Sequence, residues 1–180
     1  MTDAEFEALL TDAAERFTHA GPLDAATLRF LPEVRAMCAE GKCRAYGRSW
    51  SCPPAVPSLE EMAEAIRRYR RGVLVQTVGQ LEDSFDFEGM MAAQERHKQA
   101  MEDFARDLLA SWPDALVMGA GACTRCASCT YPDAPCRFPA LVHPSMEACG
   151  LLVSEVCVKN GMDYNHGKNT ITLVSCCLTD

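Results

Sequence analysis

The chain has 180 residues, 48% of them hydrophobic, and carries a net charge of −8, values that suit one substantial domain with a real core. That charge, with no block of Lys and Arg, argues against nucleic acid as a partner. The acidic start MTDAEFEALL lacks the basic region of a secretory signal, and no run of about 18 apolar residues is present, so neither export nor a membrane span is expected.

In chain order, Phe6, Leu9, Leu10, Ala13, Ala14 and Phe17 recur at helical spacing and predict an amphipathic helix over residues 3–17, ended by Gly21-Pro22. Residues 27–37 read as a short strand interrupted by Pro32, and residues 38–57 as an ordered loop rich in Gly, Pro and Cys. Ser58 with Glu61 forms a capping box for a helix that carries Leu59, Met62, Ile66 and Tyr69 on one face. Gly72 breaks that helix, and residues 73–78 read as a buried strand. A long helix over residues 88–111 carries Met90, His97, Met101, Phe104 and Leu108 at steps of three, four or seven. Residues 115–118 form a second strand leading directly into GACTRCASCTYPDAPCRFP. Pro144 opens a short helix through Ala148 that Gly150 ends, residues 152–160 form another helix, and residues 170–176 a last strand. This alternation predicts an α/β or α+β fold, a small sheet flanked by helices with two cysteine-rich metal-binding loops. Residues 1–180 are expected to form a single domain, with residues 1–25 as a peripheral N-terminal helix.

The eleven cysteines carry most of the functional signal. An odd number of them, in a chain without an export signal, is no disulfide framework; a cytoplasmic setting keeps thiols reduced and free for metal. Cys123, Cys126, Cys129 and Cys136 follow Cys-x₂-Cys-x₂-Cys-x₆-Cys, in a loop turned by Gly119, Gly121, Pro132 and Pro135. Iron–sulfur clusters of the ferredoxin type are held by runs of this kind, whereas zinc sites more often use two separated Cys-x₂-Cys pairs. A [4Fe–4S] cluster is therefore expected, with zinc as the alternative.

A second constellation is Cys38-x₄-Cys43-x₈-Cys52, followed by Pro53-Pro54, whose spacing is not diagnostic of one metal. Two arrangements stand. In one, Cys52-Pro53 completes the site of Cys123, Cys126 and Cys129, as a Cys-Pro ligand does in two-cluster ferredoxins, and Cys136 joins Cys38 and Cys43. In the other, Cys136 closes its own loop and the Cys38 loop takes a fourth ligand from elsewhere. Cys149, beside the ligand loop, is the best placed of the remaining cysteines; Cys157 reads as packing. Cys176 and Cys177 are adjacent on a strand and face opposite sides.

His97 reads as a satisfied core histidine, His143 as a neighbour of the cluster loop, and His19 and His166 carry no pattern. Arg44, Arg125 and Arg137 stand beside ligand candidates, where guanidinium groups would stabilise an anionic cluster. Tyr46, Trp50 and Tyr131 either shield a cluster from water or pack the loops.

The chain resembles a widespread microbial family of predicted metal-binding proteins, a domain of unknown function. The resemblance runs through Val34-Arg35, Cys38, Cys43, Tyr46-Gly47 and Cys52-Pro53-Pro54, then Tyr69 and Leu74-Val75-Gln76. It continues through the Cys123, Cys126, Cys129 triplet, Cys136-Arg137-Phe138-Pro139, and Pro144 to Gly150. It implies a soluble, cysteine-ligated metal centre, of iron–sulfur type, built from both loops. It also implies that Cys38, Cys43, Cys52, Cys123, Cys126, Cys129 and Cys136 form one set.

The functional expectation is an electron carrier or redox subunit holding one or two [4Fe–4S] clusters and docking on a partner protein. An enzyme using a cluster with an open coordination site as Lewis acid is one alternative. A zinc-binding structural or regulatory protein is the other. No GxGxxG or P-loop motif points to a nucleotide cofactor, and the Cys-x₃-Cys-x₂-Cys spacing of radical SAM enzymes is absent.

Overall fold

The computed structural model describes residues 1–40 and 43–180. The expected loop over 38–57 includes residues 41 and 42, which lie outside the described residues. The first helix, α1 (Asp3–Arg16), begins with a closed capping box: the Thr2 hydroxyl accepts from the Glu5 N–H, and the Thr2 N–H donates to the Glu5 carboxylate at 2.7 Å. Phe6, Leu9 and Ala13 turn one face of α1 inward, as the 3.6-residue period requires.

Residues that were expected to end that helix instead form strand β1 (His19–Asp24), which passes through Gly21-Pro22. A proline is tolerated there because β1 lies at the sheet edge and pairs only with β2 (Arg71–Gln80). Strands β3 (Leu116–Met118) and β4 (Thr170–Thr179) complete a four-stranded sheet in the order β1-β2-β4-β3. Every pairing is antiparallel, so the class is α+β.

The central pair, β2 and β4, runs in unbroken register from Arg71 opposite Thr179 to Gln80 opposite Thr170. Gly72 lies inside this ladder and breaks no helix; the preceding helix α3 (Leu59–Ile66) has already ended. A Cβ at Gly72 would collide with the carbonyl oxygen of Cys177, so the close approach of the two strands requires glycine.

Both faces of the sheet are buried, which the period of two along the strands permits. Leu74, Met118, Cys176 and Leu178 enter one core with Leu23, Met62, Met146 and Leu151. Val73, Val75, Val117 and Cys177 enter the other with Phe6, Phe17, Phe104 and Leu108. Cys176 and Cys177 therefore do face opposite sides. Each fully buried Leu or Phe in these cores contributes about 1.5–3 kcal/mol.

Helix α4 (Phe87–Ser111), capped by the Asp86 carboxylate on the Gly89 N–H, covers the second core. His97 ties it to the sheet: Nδ1 meets Thr77 Oγ1 on β2 and Nε2 meets Ser175 Oγ on β4, both at 2.8 Å. Burial drives its pKa down to about 4, so the imidazole is neutral.

Three local expectations are corrected. Residues 27–37 form no strand; Pro32 opens helix α2 (Pro32–Ala39), where its fixed φ suits the first turn. Residues 144–148 form no helix; Ser145 bridges Gly119 and hydrogen-bonded turns follow over residues 146–150, with Ala148 N–H on Ser145 Oγ and Cys149 N–H on the Ser145 carbonyl. Gly150, at φ 82, ends them before helix α5 (Val153–Lys159). The last strand runs three residues further than its alternation predicts. No helix among the described residues is long and apolar enough to cross a membrane.

Candidate metal centre

Strand β3 delivers the chain into the second cysteine loop. Gly119 closes the neck of that loop, donating its N–H to Pro144 O (2.8 Å) and accepting from Met146 N–H (3.0 Å). Inside it, Thr130 Oγ1 donates to Pro135 O at 2.9 Å and Arg137 Nη1 donates to Ser128 O at 3.0 Å. These bonds fold the loop back on itself.

Cys123, Cys126, Cys129 and Cys136 then line one small cavity, with Ser49, Trp50, Arg125 and Arg137 in its wall. Its lining holds no carboxylate and no imidazole. Four sulfurs without hard oxygen donors form a soft ligand set, which fits zinc or an iron–sulfur group. Among the described residues, no three His, Cys, Asp or Glu side chains are gathered closely enough to hold one ion. The four sulfurs frame a space. Cys52 is not part of that wall, whereas Cys136 is.

The first loop approaches through Ser49-Trp50-Ser51. Ser51 is fully buried; its Oγ accepts from the Cys123 N–H at 2.8 Å and lies 3.7 Å from Cys52 Sγ. Trp50 Nε1 donates to Ala134 O at 3.2 Å, and its ring meets Tyr131 edge-on at 4.9 Å. Trp50 thus packs the two loops together. Burial is the largest effect on the Cys129 thiol and raises its pKa, yet the N–H groups of Tyr131, Trp50 and Thr130 and the Ser49 hydroxyl leave it below the usual range.

Cys38 lies at the end of α2, half-buried; Cys43 is exposed and Cys52 buried. Arg35 pins the far end of this loop, donating Nη1 to Pro57 O at 2.6 Å and Nη2 to Val56 O at 3.2 Å. Burial raises Cys38 and Cys52 first of all, and the charge of Cys43 raises both further, while the Ser51 hydroxyl pulls Cys52 back. The three thiols therefore feel one another's charge. A cation among them would reverse that like-charge cost.

Cys149, Cys157 and Cys176 lie in the first core and Cys177 in the second, away from both loops' exposed thiols. Burial pushes Cys149 up to about 12 and Cys176 and Cys177 well above the ordinary range, so all three are neutral thiols. Gln76 Nε2 donates to Cys157 Sγ at 3.3 Å. His143 stands in a cleft with Cys123, and His19 stacks on His166 at 4.9 Å.

Cations surround the second loop. Arg125 pairs with Glu102 on α4, and its guanidinium lies 5.5 Å from the Phe138 ring centre. Lys98 reaches from α4 to donate to Ala122 O (2.7 Å) and Thr124 Oγ1 (3.2 Å). Burial lowers its pKa, and the charges of Cys123, Glu95 and Cys52 oppose that. An ammonium thus stands near both loops. Neither Lys98 nor the two serines were legible as site residues; Lys98 at the helical spacing of His97 plus one reads as a solvated position, and Ser49 and Ser51 carry no motif.

A sheet of this class, with a four-cysteine cavity where two loops meet, defines a cysteine-rich α+β metal-binding domain. The chain belongs to the family described as predicted metal-binding protein (DUF2284), whose model matches residues 21–179. No curated protein and no solved structure matches the chain.

Proposed function

We propose that this chain holds a [4Fe–4S] cluster on Cys123, Cys126, Cys129 and Cys136 and carries single electrons to and from a partner protein. The observation that carries the reading is the four-cysteine cavity without carboxylate or imidazole. A single tetrahedral zinc, with Zn–S near 2.3 Å, would gather its sulfurs to within about 4 Å of one another. The Cys-x₂-Cys-x₂-Cys-x₆-Cys spacing of the four cysteines suits a polynuclear group better.

When bound, such a group supplies one-electron redox chemistry. The chain's own residues do the rest. Arg125 and Arg137 in the cavity wall oppose the negative charge of the thiolates, and their attraction favours the more negative, reduced state. Trp50, backed by Tyr131, covers one side, whereas Cys123 and Cys129 remain exposed, which brings the site within reach of a docked protein. The net charge of −8 favours a basic surface on that partner.

A second reading rests on Cys38, Cys43 and Cys52. These three thiols bear on one another's charge, and with Cys149 sunk in the core they offer one ligand fewer than the four of a closed site. Three ligands suit an iron–sulfur cluster with one iron left open and hence a Lewis-acid role.

Redox titration of anaerobically purified protein, followed by electron paramagnetic resonance, separates the readings. The carrier reading predicts reversible one-electron reduction that added small molecules leave unchanged. A colourless protein loaded with zinc contradicts both iron readings.

A further inference from the structure

We propose that the cleft between α4 and residues 119–143 binds a small organic acid by its carboxylate, beside Cys123. The cleft measures about 320 Å³, the size that holds a metabolite of a few carbons. Its wall is rich in hydrogen-bond donors that the protein leaves unspent. Lys98 Nζ uses two of its three protons, on Ala122 O and Thr124 Oγ1, and keeps one.

His143 lines the cleft and has no hydrogen-bond partner among the described residues. No buried side-chain nitrogen or oxygen among them lacks a partner, so the His143 ring nitrogens are open to the cleft or to solvent. The backbone N–H groups of Ala120 and Gly121, in the same wall, likewise donate to no protein acceptor among the described residues. Donors of this kind call for a ligand made of acceptors, and charged acceptors make the stronger bonds.

Among the described residues neither acidic side chain of the wall forms an ion pair with Lys98, although the Glu95 charge opposes an anion. Glu102 is engaged by Arg125, and Glu95 stands exposed on α4. The cleft shares Cys123 and Arg125 with the sulfur-lined cavity, so an acid bound here lies against the metal centre. The proposal is independent of which metal the cysteines hold, because the protein places every donor it uses.

Isothermal titration calorimetry tests it on anaerobically purified protein, with acetate and succinate as probes, succinamide as the neutral control and inorganic phosphate as a competing anion. Iron, sulfide and zinc are measured on each sample. Saturable binding of an acid is expected, weakened at least tenfold by Lys98→Met and by His143→Leu, with no heat from succinamide. Glu95→Gln, at an exposed position that no core packing needs, should tighten binding severalfold while metal content stays the same. Absence of saturable binding of either acid to the metal-loaded protein overturns the proposal. So does affinity unchanged across all three variants, or binding of phosphate alone. Zinc in place of iron with acid still bound refutes the electron-carrier reading and leaves this site standing; iron and sulfide present without acid binding does the opposite.

Discussion

At the scale of single residues, Ser51 connects the two cysteine loops. Its buried hydroxyl accepts from the Cys123 N–H and lies against Cys52 Sγ and Ser49 Oγ. Removing it strands a backbone donor, at a cost of about 1–3 kcal/mol. Ser51→Ala is expected to lower the melting temperature and to speed metal loss to a chelator, whereas unchanged release would detach Ser51 from the site. His97 supplies a pH dependence. Its folded pKa of about 4 lies below the unfolded value of 6.5, so below pH 6.5 the unfolded chain takes up a proton that the folded chain refuses. Stability is full above pH 6.5 and falls as pH drops toward 4, by about 3 kcal/mol in all. His97→Gln should flatten that slope; thermal melts between pH 7 and pH 5 measure it, and equal slopes in the two proteins would refute the assignment.

At the scale of elements, close approach decides what the sheet tolerates. A methyl group at Gly72 meets the Cys177 carbonyl, so Gly72→Ala should force β2 from β4 and cost about 1–3 kcal/mol, read from urea unfolding. A variant as stable as the parent would contradict the packing described. The elements legible in the chain are those whose evidence is local. Ser58 and Glu61 announce α3, and the apolar period of Met101, Phe104 and Leu108 announces α4. β1 was hidden because Gly21-Pro22 reads as a stop, and only its edge position makes that proline harmless. Pro32 has two local meanings, strand breaker and first helical residue, and the bridge between Phe30 and Leu151 that precedes α2 is not local. The Pro144 segment makes a single i→i+4 bond, from Cys149 N–H to the Ser145 carbonyl, before Gly150 at positive φ stops it, and the Ser145 hydroxyl takes the Ala148 N–H.

At the scale of the molecule, the cysteines separate by burial and company. Cys123, Cys126, Cys129 and Cys136 share a cavity, Cys38, Cys43 and Cys52 share a loop, and Cys149, Cys157, Cys176 and Cys177 serve the cores. Spacing alone made the second loop readable. It left open whether Cys52 or Cys136 completes the set, because that depends on how β3 and α2 bring distant segments together. The same long-range packing hid Lys98, Ser49 and Ser51, which touch the loops from elsewhere in the chain. Cys157→Ala removes a buried thiol from a packed core and should cost about 1–2 kcal/mol while leaving metal content intact. Metal loss in that variant would place Cys157 in the site.

The central claim is tested most directly by metal analysis of anaerobically purified protein beside its Cys126→Ser variant. Iron and acid-labile sulfide in equal amounts, about four of each per occupied site, are predicted for the parent, with both lost or sharply reduced in the variant. Zinc without sulfide in the parent, or unchanged iron and sulfide in Cys126→Ser, would contradict the account.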